Sequence, residues 1–265
     1  MKDLFIFSII QGITEFLPVS STAHLIVLGK FFNLHSLGRL TEVITHAGTL
    51  CVVFVYFWKD IRAMIMGVFS LLKGKILPGI KLFFHLCLAT LPVVGGGYIL
   101  HTYFPNLGRS LPLLGVSSIV SGVILYLVDH KASTNKSLVS MTAWDALIIG
   151  CLQTIALIPG VSRSGATLIA ARIRRYQRYE AARFSFLLSI PAVLGAITLV
   201  AFDFMKEDIF VINKSLLIPF CISFLVGVFI LFLFMKWLKR HTLKPFAIYR
   251  ILFGIFILLF FYCKM

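Results

Sequence analysis

The sequence predicts an all-α polytopic membrane protein: about six full transmembrane helices plus two re-entrant broken-helix pairs in an inverted repeat. Three observations predict it. The 265 residues are 59% apolar and only 13% charged, with a mean hydropathy of +0.98, more apolar surface than a soluble core of this size can hide. Six apolar stretches have the length of a span. Two further stretches, Gln11 to Leu25 (QGITEFLPVSSTAHL) and Gln153 to Thr167 (QTIALIPGVSRSGAT), share one build: an apolar approach, a Pro or Pro-Gly break, then Val-Ser and a group of hydroxyls. A shift of 142 positions superposes Gln11 on Gln153, Ile13 on Ile155, Val19 on Val161 and Ser20 on Ser162, with Arg163 where the first stretch has Ser21.

Taken along the chain, the spans are Val43 to Trp58, Leu82 to Tyr103, Leu111 to Val128, Phe184 to Phe204, Leu216 to Phe234 and Pro245 to Cys263. Pro92 and Pro191 should kink theirs, and Gly95, Gly96 and Gly97 should let helices approach closely. The two motif stretches differ from the spans. Each is an apolar helix broken in the middle, at Leu17-Pro18 or Pro159-Gly160, a form tolerated at membrane depth only where protein or a wet cavity surrounds it. If each pair returns to its own side, the loops Lys59 to Lys81, Lys131 to Lys136, Arg172 to Arg183 and Lys236 to Lys244 share one face. That face carries sixteen basic residues, against seven on the other: Lys2, Lys30, Arg39, Arg109, Lys206, Lys214 and Lys264. The richer face is expected to be cytoplasmic and both termini periplasmic. The two re-entrant pairs then enter from opposite sides and meet near the midplane, which makes residues 1–265 one membrane domain with halves of about 1–110 and 140–265.

Charge placement excludes nucleic acid as a partner. The formal charge of +15 is distributed between apolar spans, as befits anionic lipid head groups. Arg172, Arg174, Arg175 and Arg178 read as a charged cytoplasmic collar. The five cysteines lie within apolar runs and read as buried free thiols. Asp3, Glu15 and Pro18 interrupt any signal-peptide pattern, so no cleavage is expected.

A carboxylate, a run of three hydroxyls and an imidazole within fifteen residues of hydrocarbon-bound chain mark a functional site. Ser20, Ser21 and Thr22 follow the first break; Ser162, Arg163, Ser164, Gly165 and Thr167 follow the second. Two helix starts, several hydroxyls and a guanidinium facing one point suit an anion with many oxygens, best a phosphate or diphosphate, and glycine at 165 would let backbone approach it. Arg163 has Glu15 or Glu42 as alternative ion-pair partners. Ser21 and His24, three apart, should share a face, which is general acid/base geometry. Gln11 and Glu15 face one way, and Glu15 is expected to orient His24, position a water or hold a divalent metal ion. Glu42, His46 and Glu180 read as structural or supporting groups.

At these residues the chain resembles the undecaprenyl-diphosphate phosphatase family, also known as bacitracin-resistance proteins. QGITEFLPVSSTAHL is similar to that family's first signature and PGVSRSGAT to its second; FSFLLSIPAVLGA and PFAIYRI are similar to its later segments, so the likeness runs nearly end to end. The resemblance implies removal of the terminal phosphate from undecaprenyl diphosphate at the outer face of the bacterial inner membrane, recycling the lipid carrier of cell-wall synthesis. It also implies a divalent cation, Mg2+ or Ca2+, and catalytic roles for Glu15, Ser21, His24 and Arg163. A homodimer is allowed by this reading. Gln11 stands where the family often has Glu, and glutamine cannot act as a base, which counts against any mechanism requiring two carboxylates there. Ala23 and His46 stand in place of an expected Gly and Gln. Whether Ser21 or a water is the nucleophile stays open, and a lipid-phosphate flippase, needing much the same cradle, is the competing class.

Overall fold

The computed structural model describes residues 2–31, 38–71, 73–75, 77–103, 110–132, 135–206 and 216–263. Arg109, Lys214 and Lys264 of the charge count lie outside the described residues. The first half runs α1 (Lys2–Thr14), α2 (Ser21–Phe31), α3 (Gly38–Tyr56), α4 (Trp58–Leu71) and α5 (Pro78–Tyr103), followed by α6 (Leu111–Lys131). The second runs α7 (Ala143–Gln153), α8 (Arg163–Ile173), α9 (Arg178–Lys206), α10 (Leu217–Leu238) and α11 (Lys244–Cys263). α5, α6, α9, α10 and α11 are each long and apolar enough to cross a membrane. α3 continues into α4 through a 78° bend.

That bend corrects the expectation of a plain loop after Lys59. Trp58, Lys59, Asp60 and Arg62 arrive together, and a chain reaching head-group level with these residues turns along the interface. α4 then buries Ile61, Met64 and Gly67 and leaves Ile65, Met66 and Phe69 outward.

The two broken helices are α1–α2 and α7–α8. The shift of 142 pairs α1 with α7, α2 with α8, α3 with α9 and α5 with α10, and chain order pairs the last helix of each half, α6 with α11. Packing follows the same exchange: α1 lies along α10 while α7 lies along α5, and α3 packs on α10 while α9 packs on α5. The pairs α3 with α9 and α6 with α11 also pack on each other. Helix pairs that map onto themselves must straddle the pseudo-two-fold axis, so each re-entrant pair is braced by the opposite half. Simple alternation of the spans would give partners opposite directions, as an inverted repeat requires.

The largest core cluster sits between α3, α8, α9 and α10 and includes Val52, Leu168, Phe184, Leu187 and Leu231. Phe16, from the turn of the first re-entrant pair, is inserted into it edge-on to Phe186 at 5.6 Å. Gly227 leaves the room, since a Cβ there would lie 2.8 Å from the Phe16 ring. An apolar anchor therefore holds this turn at depth.

The supposed cytoplasmic collar proves to be a latch. Arg172 is fully buried: its Nε donates to Asp129 Oδ1 at 3.0 Å and its Nη atoms donate to the carbonyls of Tyr176 and Ala132. Asp129 also accepts from Arg178 Nε at 2.8 Å and from the Leu243 amide at 2.9 Å. Arg174 and Lys136 pair with Asp145, and Arg183 with Asp60 and Glu180. Burial pushes the Asp145 carboxyl upward, but hydrogen bonds from Arg174, Tyr176 and Thr142 overcome it and bring it to about 2. The cysteines are free, yet only Cys51 is half-buried; Cys87, Cys151, Cys221 and Cys263 lie on outward helix faces. Of Gly95, Gly96 and Gly97, only Gly96 abuts another element, at Thr154 and Leu157; Gly95 and Gly97 face open space, against the expected close packing.

Asp129 ties α6, α8 and the start of α11 together, and removing it strands a buried guanidinium. Asp129→Ala should cost about 3 kcal/mol or more of stability, read as a lowered Tm in detergent; an unchanged Tm would show that the latch carries no load.

Candidate active site

Both re-entrant turns arrive at one place because a single guanidinium holds them. Arg250 of α11, 1% exposed, donates from Nη1 to the Pro18 carbonyl at 3.1 Å, from Nη2 to the Gly160 carbonyl at 3.1 Å, and from Nη2 to Ser121 Oγ. Pro18 and Gly160 are equivalent positions under the 142-residue shift. Gly160 has φ of +92°, where a Cβ would lie 2.1 Å from Ser117 Oγ, so only glycine turns here. Ser117 Oγ closes the same turn by donating to the Pro159 carbonyl at 2.7 Å. Ser164 Oγ joins the two tips directly, donating to the Leu17 carbonyl at 3.3 Å.

Glu15 lies at the centre. Its Oε2 accepts from Ser21 Oγ at 2.9 Å and from Gln11 Nε2 at 3.0 Å, and its Oε1 accepts from Arg163 Nη2 at 3.2 Å. Ser21 and Arg163 hold equivalent positions, each first in its helix, so the symmetric scaffold presents a hydroxyl from one half and a guanidinium from the other to one carboxylate. Arg163 Nη1 is buried without a partner and remains available to an anion. His46 completes the ring of groups: its Nδ1 lies 3.0 Å from Gln11 Nε2 and 3.5 Å from Glu15 Oε2. From the sequence His46 reads only as a structural or supporting group. Its i, i+4 spacing from Glu42 was visible; its approach to Gln11, 35 residues away, was not.

The structure separates other expected members. His24 does not reach the hydroxyl of Ser21. Its Nδ1 hydrogen-bonds the Ser20 carbonyl at 2.8 Å, its Nε2 meets the Tyr249 hydroxyl at 2.7 Å, and its ring stacks on Phe253 at 4.0 Å. Ser20 has φ of +70°, a left-handed conformation that costs a non-glycine residue about 1–3 kcal/mol. His24 fixes the carbonyl of that strained residue through both its backbone N–H, at 3.3 Å, and its ring. It thereby holds the turn that aims Ser21 at Glu15. Ser162, the counterpart of Ser20, is an ordinary N-cap with φ of −71°, its Oγ accepting from the Gly165 amide at 3.1 Å.

Gly165 and Thr167 stand behind the site. A Cβ at Gly165 would lie 2.6 Å from Arg250 Nη1, so that glycine admits the clamp rather than an anion. Thr167 Oγ1 donates back to the Arg163 carbonyl at 2.9 Å and meets Ser185 Oγ inside the core. Glu180 is structural, accepting from the Leu138 amide and Arg183.

In front of Glu15 lies a cavity of about 800 Å³, lined on its polar side by Glu15, Ser20, Ser21, Thr22, Glu42, His46, Ser162, Arg163 and Ser164. α2 and α8 direct their starts here, where first-turn N–H groups lack intrahelical partners and favour an anion. The arrangement pairs a hydroxyl already donating to a carboxylate with a guanidinium that retains a free arm. It suits transfer of a phosphoryl group. Among the described residues no group of three or more His, Cys, Asp and Glu could cage a metal ion. Mg2+ commonly makes do with one or two carboxylates plus substrate phosphates, and Glu15 and Glu42 fit that pattern.

The profile of the family described as Bacitracin resistance protein BacA matches residues 4–256. Undecaprenyl-diphosphatase 1 of Rhodospirillum rubrum is 40% identical over 261 residues, covering 96% of this chain and 93% of its own. Undecaprenyl-diphosphatase of Desulforudis audaxviator is 39% identical over 251 residues, 94% of each chain. Undecaprenyl-diphosphatase 3 of Bacillus cereus is 38% identical over 258 residues, covering 97% of this chain and 96% of its own. Matched along nearly its whole length, the chain belongs to the bacitracin resistance protein BacA family.

Proposed function

We propose that this protein hydrolyses undecaprenyl diphosphate to undecaprenyl phosphate and inorganic phosphate at the periplasmic side of the inner membrane, recycling the cell-wall lipid carrier and so conferring bacitracin resistance. The observation that carries this reading is Glu15, whose two oxygens bind Ser21 Oγ and Arg163 Nη2 at the floor of a cavity inside the membrane domain. The family and the names of its relatives support the substrate.

Ser21 Oγ attacks the outer phosphorus as its proton passes to Glu15 Oε2; the bond to the bridging oxygen breaks and undecaprenyl phosphate leaves. Water then cleaves the phosphoserine, releasing phosphate. Arg163 turns its free Nη1 to the phosphoryl oxygens, and the starts of α2 and α8 add backbone N–H groups to the same charge. Gln11 holds Glu15 in place with an amide that cannot itself accept the proton. His24 is a positioning residue in this scheme. Glu15 and Glu42 would hold a divalent cation, which would supply further positive charge against the phosphoryl group.

Ser21→Ala separates this scheme from direct attack by water: it should leave less than about a tenth of wild-type turnover, a barrier increase above roughly 1.4 kcal/mol, while substrate still binds. Retention of more than that assigns attack to water. Arg163→Lys should lower kcat at least about tenfold because it removes the fork whose two nitrogens face Glu15 and a phosphoryl oxygen separately; near-normal turnover would leave Arg163 a structural ion pair. Phosphate release in detergent, with no second compartment, distinguishes hydrolysis from lipid flipping. For orientation, a cysteine at Lys73 should resist impermeant thiol reagents in intact cells, and labelling from outside would reverse the topology.

A further inference from the structure

The catalytic cavity has a second wall that the chemistry does not use. α5 contributes Val93, Gly97 and Leu100 to it, and α9 contributes Ala196, Ile197 and Val200. Neither helix places a hydrogen-bonding side chain there. A hydrophilic substrate gains nothing from such a wall; an amphiphile needs it.

The small residues in this wall are not explained by helix packing. A Cβ at Gly97 would meet nothing within 4 Å, and the helix faces beside the lining are equally open at Gly95 on α5 and Gly195 on α9. Pro92 and Pro191 immediately precede Val93 and Ala192, where the lining begins, and each removes a hydrogen bond from its helix. Outward of the lining, Val94, Tyr98, Leu194 and Leu199 are exposed on faces that meet the bilayer. The opposite approach, between α2 and α11, is filled by stacked rings: His24 on Phe253 and Phe31 on Phe260, both at 4.0 Å.

A second, independent observation points to a ligand. Gln153, at the end of α7 where that helix packs along α5, lines the same cavity and is 0% exposed, yet neither its Nε2 nor its Oε1 has a partner. Leaving such an amide unpaired costs about 1–3 kcal/mol, which a phosphate oxygen accepting from Nε2 would recover. The cavity volume of about 800 Å³ encloses a ligand of drug size, far less than an undecaprenyl chain. The chain must therefore leave sideways.

We propose that the polyprenyl chain exits between α5 and α9, over Gly97 and Ala196, with the Gln153 amide holding the phosphate that stays on the chain. This rests on the diphosphatase reading above and adds to it the seat of the lipid.

The test uses purified full-length Gly97→Phe and Ala196→Phe proteins, checked for wild-type Tm in detergent, with undecaprenyl diphosphate and the one-isoprene dimethylallyl diphosphate as paired substrates. Blocking the groove should lower kcat/KM for the long substrate by at least about tenfold and leave the short one within about threefold. Gln153→Ala should weaken both alike. A benzophenone-tagged polyprenyl diphosphate should crosslink to peptides of α5 and α9. Equal losses on both substrates in the phenylalanine variants, no loss on either, or crosslinks on α2 and α11 would overturn the exit. Absence of phosphate release by the wild-type protein from any diphosphate would instead overturn the diphosphatase reading itself.

Discussion

Everything at this site depends on one buried guanidinium. A broken helix inside a membrane leaves carbonyls at its turn that lipid cannot satisfy. Arg250 satisfies one from each half, at Pro18 and Gly160, and in doing so sets the two turns against each other. Among the described residues it has no carboxylate partner, so its charge adds to the field at the helix starts. The small residue required at Gly165, the strict glycine at 160 and the hydroxyls of Ser117 and Ser121 all follow from making room for this clamp and closing the turns around it.

The scaffold is close to symmetric and the chemistry is not. Equivalent positions carry Ser21 and Arg163, the proposed nucleophile and anion binder, and both converge on the one carboxylate that only the first half supplies. Equivalent caps also differ: Ser162 is relaxed, whereas Ser20 is held left-handed by His24. Strain thus sits on the half that carries Ser21, while the half that carries Arg163 keeps standard helix-cap geometry. Gln11 and Gln153 show the same division, one bound to Glu15 and His46, the other left with an unpaired amide facing the cavity.

Much of this was legible in the sequence because breaks in apolar helices and polar residues after them are local signals. Pro18, Pro159 and Gly160 located both turns, and Glu15, Ser21 and Arg163 could be assigned to one site from the repeat alone. What could not be read was direction and distance. His24 follows Ser21 by three residues, but the left-handed turn at Ser20 and the rings of α11 draw its side chain away. Arg250 lies 232 residues from Pro18, and His46 reaches Gln11 across 35. A signal existed for both, since an arginine or histidine in the middle of an apolar helix demands a partner. The basic run from the last turn of α8 misled for the opposite reason: composition marks a charged face, but Asp129 buries Arg172 in a way only packing reveals.

The central claim is that one guanidinium assembles the site from two halves. Its most direct test is kcat for phosphate release by Arg250→Lys, which keeps the charge but replaces a forked donor able to span Pro18, Gly160 and Ser121 with a single ammonium. The account predicts a loss of at least about tenfold with the protein still folded in detergent. Near-wild-type kcat in that variant would contradict it.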